Sequence, residues 1–414
     1  MSNAQPIRVL HIITRLIVGG AQENTLLSVE GLTQLPGYEV ELIAGVEGGP
    51  EGNLLPRARQ TTKLMLVPEL VRKINPLSDL IALCKLYRLI KRGRYHIVHT
   101  HSSKAGVLGR IAAKLAGTPI VVHTLHSLVF HDYQPWAVNR LLRLIKKACA
   151  PLTDQYISVS KLISQRAIEA GIAPAEKFRT IYSGMELDWF LNSDVDPNRA
   201  RRKLGIPEGA PVVGKIARFF PLKGHHQLME AAPAIVRNHP DVRFLLVGDG
   251  ILQDQIRKRA QKLGIIDNFV FTGLVEPEQI PQMIAAMDVL VHTSLREGLA
   301  RVLVQALAMG KPCICFDLDG APEVVIDGQT GYLIRPGDIQ GLANAVSRLL
   351  ADPALRARLG RAGRKLVDPA FRADTMVRQI AALYQELLEK HAERIRAFNE
   401  RRVQQLSPSC RMEV

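Results

Sequence analysis

Apolar residues in the first half of the chain come in short continuous runs, separated by longer stretches in which they recur every three or four positions. Residues 8–13, 39–44, 63–67, 96–100, 119–123, 155–159 and 178–181 form the runs. Apolar on both faces and bounded by turn residues, they predict buried parallel strands with helices between them. The rhythm breaks between Asp188 and Pro211, where residues 192–198 (NSDVDPN) are polar and contain proline, as a linker would. A second series then begins, with runs at 212–217, 242–247, 269–272, 288–292, 312–316 and 331–334. Two doubly wound α/β domains in tandem follow, Rossmann-like, each with ligands expected at the C-terminal ends of its strands and facing a central cleft. We place the first at 1–190 and the second at 191–370. A long charged helix over 371–402 is expected to cross back to the first domain, and residues 403–414 to be frayed.

Composition narrows the class. The 414 residues suffice for two cores, and 47% hydrophobic with 22% charged residues fits a globular protein. No apolar run approaches the ~20 residues of a membrane span, and no secretory leader pattern opens the chain, so a cytoplasmic protein is expected. Five cysteines (Cys84, Cys149, Cys313, Cys315, Cys410), an odd number in mostly apolar contexts, read as reduced thiols. Cys313 and Cys315 lie two positions apart in an apolar strand with no other ligand beside them in the sequence, and they are not read as a chelating pair. The net charge of +15 calls for an anionic partner: phosphorylated substrates, an anionic membrane surface or nucleic acid. Only 5% of residues are aromatic, and none interleave with basic residues as a base-stacking platform requires, so no nucleic acid is expected.

Candidate chemistry sits where strands run into helices. Residues 217–224 (ARFFPLKG) follow one strand, and residues 295–301 (LREGLAR) follow another and open an apolar helix over 300–309. Helix N-termini after such turns attract anions. Arg218 and Lys223 offer a guanidinium fork and a point charge for a diphosphate. Glu297 is badly placed for a phosphate and suits the hydroxyls beside one, which suggests a nucleotide sugar. In the first half, Gly19 and Gly20 form a turn after the first strand. His123, His126 and His131 follow the fifth strand; their spacing is irregular and no carboxylate pair or cysteine completes a metal set, so no metal site is assigned. His126 is the candidate for a sugar hydroxyl or phosphate, and His123 and His131 have structural readings. Basic residues crowd two helices, near 77–93 (Lys85, Arg88, Lys91, Arg92 and the adjoining Arg94) and near 135–150 (Arg140, Arg143, Lys146, Lys147), a pattern that fits either an anionic lipid surface or an ordinary solvated face.

These residues together resemble the retaining glycosyltransferases of family 4, which have the GT-B fold. The matching pieces span nearly the whole chain: residues 19–22 (GGAQ), 124–126 (TLH), 183–186 (SGME), Arg218 to Gly224, 247–250 (VGDG), 297–301 (EGLAR) and 320–323 (GAPE). The resemblance implies roles. Gly19 and Gly20 would bring backbone N–H groups to the donor, and His126 would touch the transferred sugar. Arg218 and Lys223 would hold the diphosphate. Glu297 would bind sugar hydroxyls, with the backbone of Gly298, Leu299, Ala300 and Arg301 completing the pocket. The backbone near Val270 would sit by the base, and Gln305 would hold the ribose. Three departures stand out: Gln305 replaces a usual Glu, Ala300 a frequent Pro, and Ser183 and Glu186 a usual Asn and Asp.

The implied activity is transfer of a hexose, with retention, from a UDP-sugar to a lipid-linked or membrane-proximal glycan, without metal or other cofactor. Acceptor loops are expected around 45–52 and 126–135. Two alternatives remain: a catalytically silent nucleotide-sugar-binding protein, of which Gln305 would be the first mark, and a nucleotide-sugar epimerase of the same architecture, against which the Glu-led loop argues. Slow donor hydrolysis without acceptor separates a transferase from a silent binder.

Overall fold

A computed structural model describes residues 6–46, 48–49 and 52–404. Cys410, the tail beyond residue 404, and Glu47, Pro50 and Glu51 of the first expected acceptor loop lie outside the described residues. The chain divides into two compact units: Met1–Met185 with Ala373–Val414, and Glu186–Arg372. Each is a parallel sheet covered by helices, and the chain has the GT-B fold.

The first unit holds β1 (Ile7–Ile13), β2 (Tyr38–Ala44), β3 (Lys63–Leu66), β4 (Ile97–His101), β5 (Ile120–Leu125), β6 (Gln155–Ser158) and β7 (Phe178–Thr180). Their order in the sheet is β3-β2-β1-β4-β5-β6-β7, all parallel. The register aligns His11 of β1 with His99 of β4, and His101 of β4 with Thr124 of β5. One sheet face carries Val9, Ile13, Leu42 and Ile97, and helix Ala373–Lys390 closes it with Met376, Val377, Ile380, Leu383, Tyr384 and Leu387. The spacing of these six is the apolar stripe of an amphipathic helix. Helix Gly20–Thr33 lies beside it, and Gly31 makes that approach possible: a Cβ there would stand 2.4 Å from Val377 Cγ2. The other face packs helices Pro76–Gly93 and Ser103–Leu115 through Ala82, Leu86, Ile90, Ala105 and Ala112. The expected single helix over 371–402 is two, Ala373–Lys390 and Ala392–Gln404. Helical bonds persist across the break, from His391 N to Leu387 O and from Ile395 N to His391 O.

The second unit holds β8 (Val212–Ile216), β9 (Arg243–Val247), β10 (Phe269–Gly273), β11 (Val289–His292), β12 (Cys313–Phe316) and β13 (Gly331–Ile334), in the order β10-β9-β8-β11-β12-β13. The strand order reverses between β8 and β11, so the loops that leave their C-terminal ends are neighbours, as at other topological switch points.

The segment 188–211 is not a free linker. It forms helices Asp188–Leu191 and Pro197–Lys203, the latter capped by the Asp196 side chain with Pro197 in its first turn. Phe190, Leu191 and Ala200 are buried, and Arg201 Nη2 donates to Asp288 Oδ2 at 2.9 Å. These contacts place the division ahead of this segment, at Met185 and Glu186.

Candidate active site

In the second unit, β8 ends in Lys215 and Ile216 and delivers the loop 217–224. Leu222 and Gly224 both have positive φ, at 67° and 70°. Gly224 has no alternative, because a Cβ would lie 1.7 Å from Thr293 O. The loop is stitched to the one that follows β11. Thr293 Oγ1 donates to Gly224 O at 2.6 Å, Leu295 N donates to Leu222 O at 2.8 Å, and Lys215 Nζ donates to Thr293 Oγ1 at 2.9 Å. The glycines of residues 247–250 brace the same loop from behind: Cβ atoms at Gly248 and Gly250 would strike Ala217 O and Phe219 O. Their work is to let that loop approach, not to pack helix on sheet.

This scaffold brings Lys223 and Glu297 together. Lys223 Nζ donates to Glu297 Oε1 at 2.5 Å, both side chains about a quarter exposed. Burial pushes the Glu297 carboxyl up, but the Lys223 ammonium outweighs it and holds the group below the usual carboxylate range. Arg218 is exposed at the loop's mouth with its guanidinium 5.2 Å from the centre of the Phe220 ring. Beneath them Lys215 is fully buried; burial, with the charge of Lys223 adding to it, lowers its ammonium to about 7. Arg218, Lys223 and the buried Lys215 thus share one loop pair with the Glu297 carboxylate, a predominantly basic setting that suits an anion of high charge density.

The amide of Glu297 is already used, donating to Asp319 Oδ2 at 2.7 Å, so the anion-binding amides expected of this loop do not include it. Gly298 O accepts from Gly320 N at 3.2 Å, which ties residues 320–323 to the site. Leu299 and Ala300 are buried, and helix Arg301–Ala308 starts at Ala300 without a side-chain cap. Gln305 lies half-buried one turn into it. Val270 sits mid-strand on edge strand β10, paired with Leu245; the strand's end, at Gly273, is what meets the loops, accepting from Gly248 N at 3.0 Å.

In the first unit, Gly19 precedes helix Gly20–Thr33, and its carbonyl accepts from Glu23 N at 2.9 Å. His126 follows β5, half-buried, and burial lowers its imidazole to about 4, so it is neutral near pH 7. Its Nε2 lies 3.2 Å from His101 Nδ1. His123 points to the opposite sheet face, where Nδ1 meets Thr100 Oγ1 at 2.9 Å and Nε2 meets Lys146 Nζ at 3.5 Å; it is structural. Lys146 is therefore buried, and burial lowers its ammonium to about 7, so it does not belong to the basic solvent face expected of its helix.

Residues 18–189 match the family described as Glycosyltransferase Family 4, and residues 196–366 match Glycosyl transferases group 1. A UDP-Gal:alpha-D-GlcNAc-diphosphoundecaprenol alpha-1,3-galactosyltransferase of Escherichia coli is 30% identical, over 94% of this chain and 99% of its own. The chain belongs to the family 4 glycosyltransferases. It is a hexosyltransferase by the same evidence of kinship. The capsular polysaccharide biosynthesis glycosyltransferase CapM of Staphylococcus aureus is 26% identical over 77% of this glycosyltransferase and 84% of its own length. Among solved structures, the Anabaena protein HepE in complex with UDP superposes with a TM-score of 0.75 at 25% identity, covering 92% of this chain and all of the other.

Several residues of the site carried no sequence signal of their own. Lys215 and Thr293 lie inside or next to apolar strands and read as exceptions in them. Asp319 needs the fold to reach Glu297. His11, His99 and His101 were the recoverable ones: two histidines alternate in β4, and alternation alone puts them on one face. Ring nitrogens of these three lie within 4.8 Å of one another, fully buried.

Proposed function

We propose that this glycosyltransferase moves a hexose from a UDP-sugar, with retention at the anomeric carbon, to a lipid-linked glycan in cell-surface polysaccharide or glycolipid synthesis. The observation that carries the reading is the Lys223–Glu297 pair on a braced loop beside Arg218. Two cations suit a diphosphate leaving group, and a carboxylate kept ionised beside them suits the hydroxyls of the attached sugar. The E. coli relative, whose printed donor is UDP-Gal and whose acceptor is diphosphoundecaprenol-linked, supports the donor and acceptor classes, and the UDP complex of HepE supports the base.

The chemistry follows from the residues. As the bond from C1 to the diphosphate oxygen loosens, charge grows on the leaving group, and Arg218, Lys223 and the start of helix Arg301–Ala308 stabilise it. These cations take the part a divalent metal would otherwise play. The acceptor hydroxyl attacks from the face the diphosphate leaves, a donor phosphate oxygen taking its proton, so Glu297 binds and is not the nucleophile. The family resemblance assigns His126 to the transferred sugar, Gln305 to the ribose, and the backbones of Gly19, Gly20, Val270 and residues 298–301 to the donor.

A lipid-linked acceptor requires access to a membrane surface, and helix Trp136–Ala148 supports it. Its apolar residues Trp136, Val138, Leu141, Leu144 and Ile145 face solvent, and the one side chain it buries is Lys146. Arg140, Arg143 and Lys147 flank that apolar stripe. Leu77, Leu80 and Ile81 of helix Pro76–Gly93 are exposed in the same unit. This is how a peripheral helix binds anionic lipid, apolar side chains inserted and cations at the headgroups. No described helix is long and apolar enough to cross the bilayer.

The test is transfer from a panel of UDP-hexoses to polyprenyl-diphosphate sugars in vesicles of anionic or neutral lipid, with the product's anomer read by NMR. Transfer with retention that weakens in neutral vesicles and in Leu141→Ser/Leu144→Ser is expected. Neither transfer nor slow donor hydrolysis from any UDP-hexose would put the silent-binder reading in its place.

A further inference from the structure

Behind His126 the first unit buries an unbroken chain of polar side chains. His126 Nε2 lies 3.2 Å from His101 Nδ1, and His101 Nε2 lies 2.9 Å from His11 Nδ1. His11 Nε2 then meets the hydroxyl of Tyr384 at 3.3 Å, the same hydroxyl meets His99 Nδ1 at 2.6 Å, and His99 Nε2 meets Thr124 Oγ1 at 2.7 Å. Five contacts join six side chains, from β1, β4 and β5, the loop after β5, and helix Ala373–Lys390. His11, His99, His101 and Tyr384 are all fully or almost fully buried.

A neutral imidazole carries one N–H and one acceptor nitrogen. Each histidine inside the chain must therefore accept on one side and donate on the other, so along His11, His101 and His126 the direction of one bond fixes the rest. Burial keeps the rings neutral, lowering His11 to about 3 and His99 and His101 well below the ordinary range. The two contacts of Tyr384 set the direction. An O–H donor makes shorter bonds than an N–H donor. The 2.6 Å contact is then Tyr384 donating to His99, and the 3.3 Å contact is His11 donating to Tyr384. Followed outward, His101 donates from Nε2 to His11, and His126 donates from Nε2 to His101.

We propose that this chain is a positioning device: through Tyr384 it holds His126 as its Nε2–H tautomer, so that Nδ1 faces outward as a hydrogen-bond acceptor for a hydroxyl of the substrate sugar. His11, His99, His101 and Tyr384 touch no substrate and act through His126. The assignment of the sugar rests on the function proposed above; the tautomer does not. The three clustered rings do not need an ion to account for them, since each facing nitrogen already has a partner within the chain, and an ion would have to replace those bonds.

The experiment is a long-range ¹H–¹⁵N correlation of the histidine rings in the full-length protein near pH 7, with and without a chelator and with and without added Zn²⁺. Nε2–H tautomers at His11, His99, His101 and His126, unmoved by chelator or metal, are expected. An Nδ1–H tautomer at His126 or His101, or a spectrum that responds to chelator, would overturn the proposal. Tyr384→Phe removes the director. In this variant His126 should become a mixture of tautomers. If half the molecules then present the wrong nitrogen, donor KM rises about two-fold with kcat held. A single unchanged His126 tautomer in a folded Tyr384→Phe protein would show that Tyr384 directs nothing. The wild-type spectrum decides the case if that variant fails to fold, and it decides it whether or not the enzyme accepts any hexose offered.

Discussion

In the function proposed above, Glu297 and a bound diphosphate compete for the Lys223 ammonium, and Glu297→Gln tests that competition. In the free protein Lys223 Nζ lies 2.5 Å from Glu297 Oε1. The side chains are 22% and 25% exposed, so solvent screens the pair and its worth falls below the ~1.5–3 kcal/mol of a buried charge-assisted bond, to about 1 kcal/mol. Glutamine keeps the shape and one acceptor oxygen but drops the charge. Bare UDP then no longer draws Lys223 away from a carboxylate or sits beside a negative charge, and it should bind about five-fold more tightly in calorimetry. Transfer should move the other way. Loss of a charged acceptor for the sugar hydroxyls costs ~1.5–3 kcal/mol, which lowers kcat/KM by about 10- to 150-fold. The opposite signs are the signature. Weaker UDP binding in Glu297→Gln, or a fall in both quantities together, would mean that Lys223 is not the shared group and that the site has been read wrongly.

Two further outcomes follow from other positions. Arg218→Ala should cut kcat by ~10²–10³-fold while melting stays within ~0.5 kcal/mol of the parent, because the side chain is exposed; near-normal turnover in a steady-state assay would remove Arg218 from the leaving-group site. Lys146→Met should stabilise the protein by about 2 kcal/mol or more near pH 7, because it removes an ammonium that burial, with Arg110 beside it, brings from 10.5 to about 7. Between those two values the unfolded chain binds more protons than the folded one, so parent stability rises with pH there. The gain from methionine is then full below pH 7 and shrinks toward pH 10.5, and denaturant titrations showing a gain independent of pH would refute the assignment.

Continuous apolar strands separated by amphipathic helices made both sheets legible, because parallel strands buried on both faces have to be apolar along their length. Residues 188–211 misled for a physical reason: polarity and proline mark a linker and a helix start alike, and Asp196-Pro197 is a cap followed by a first turn. Arg218, Lys223 and Glu297 could be singled out as candidates because a charge at the end of an apolar strand has few structural uses. The pairing of two of them was not, since it depends on β8 and β11 being neighbours across the switch in strand order.

The buried polar residues show where reading by pattern fails. In β1 and β4 the histidines at 11, 99 and 101 occupy positions where the alternation calls for core side chains. Lys146 takes the core position of a helix whose apolar residues face solvent. Pattern alone assigns each to the wrong surroundings, because a polar group inside a core is tolerated only when partners distant in sequence satisfy it. For His11 the partners are His101 and Tyr384, 90 and 373 residues away. Tolerating such groups costs stability that an apolar core would not lose. In the first unit that cost falls along one line, which ends at His126, the histidine proposed to meet the sugar, and on that proposal the core there serves the orientation of His126 rather than maximal packing.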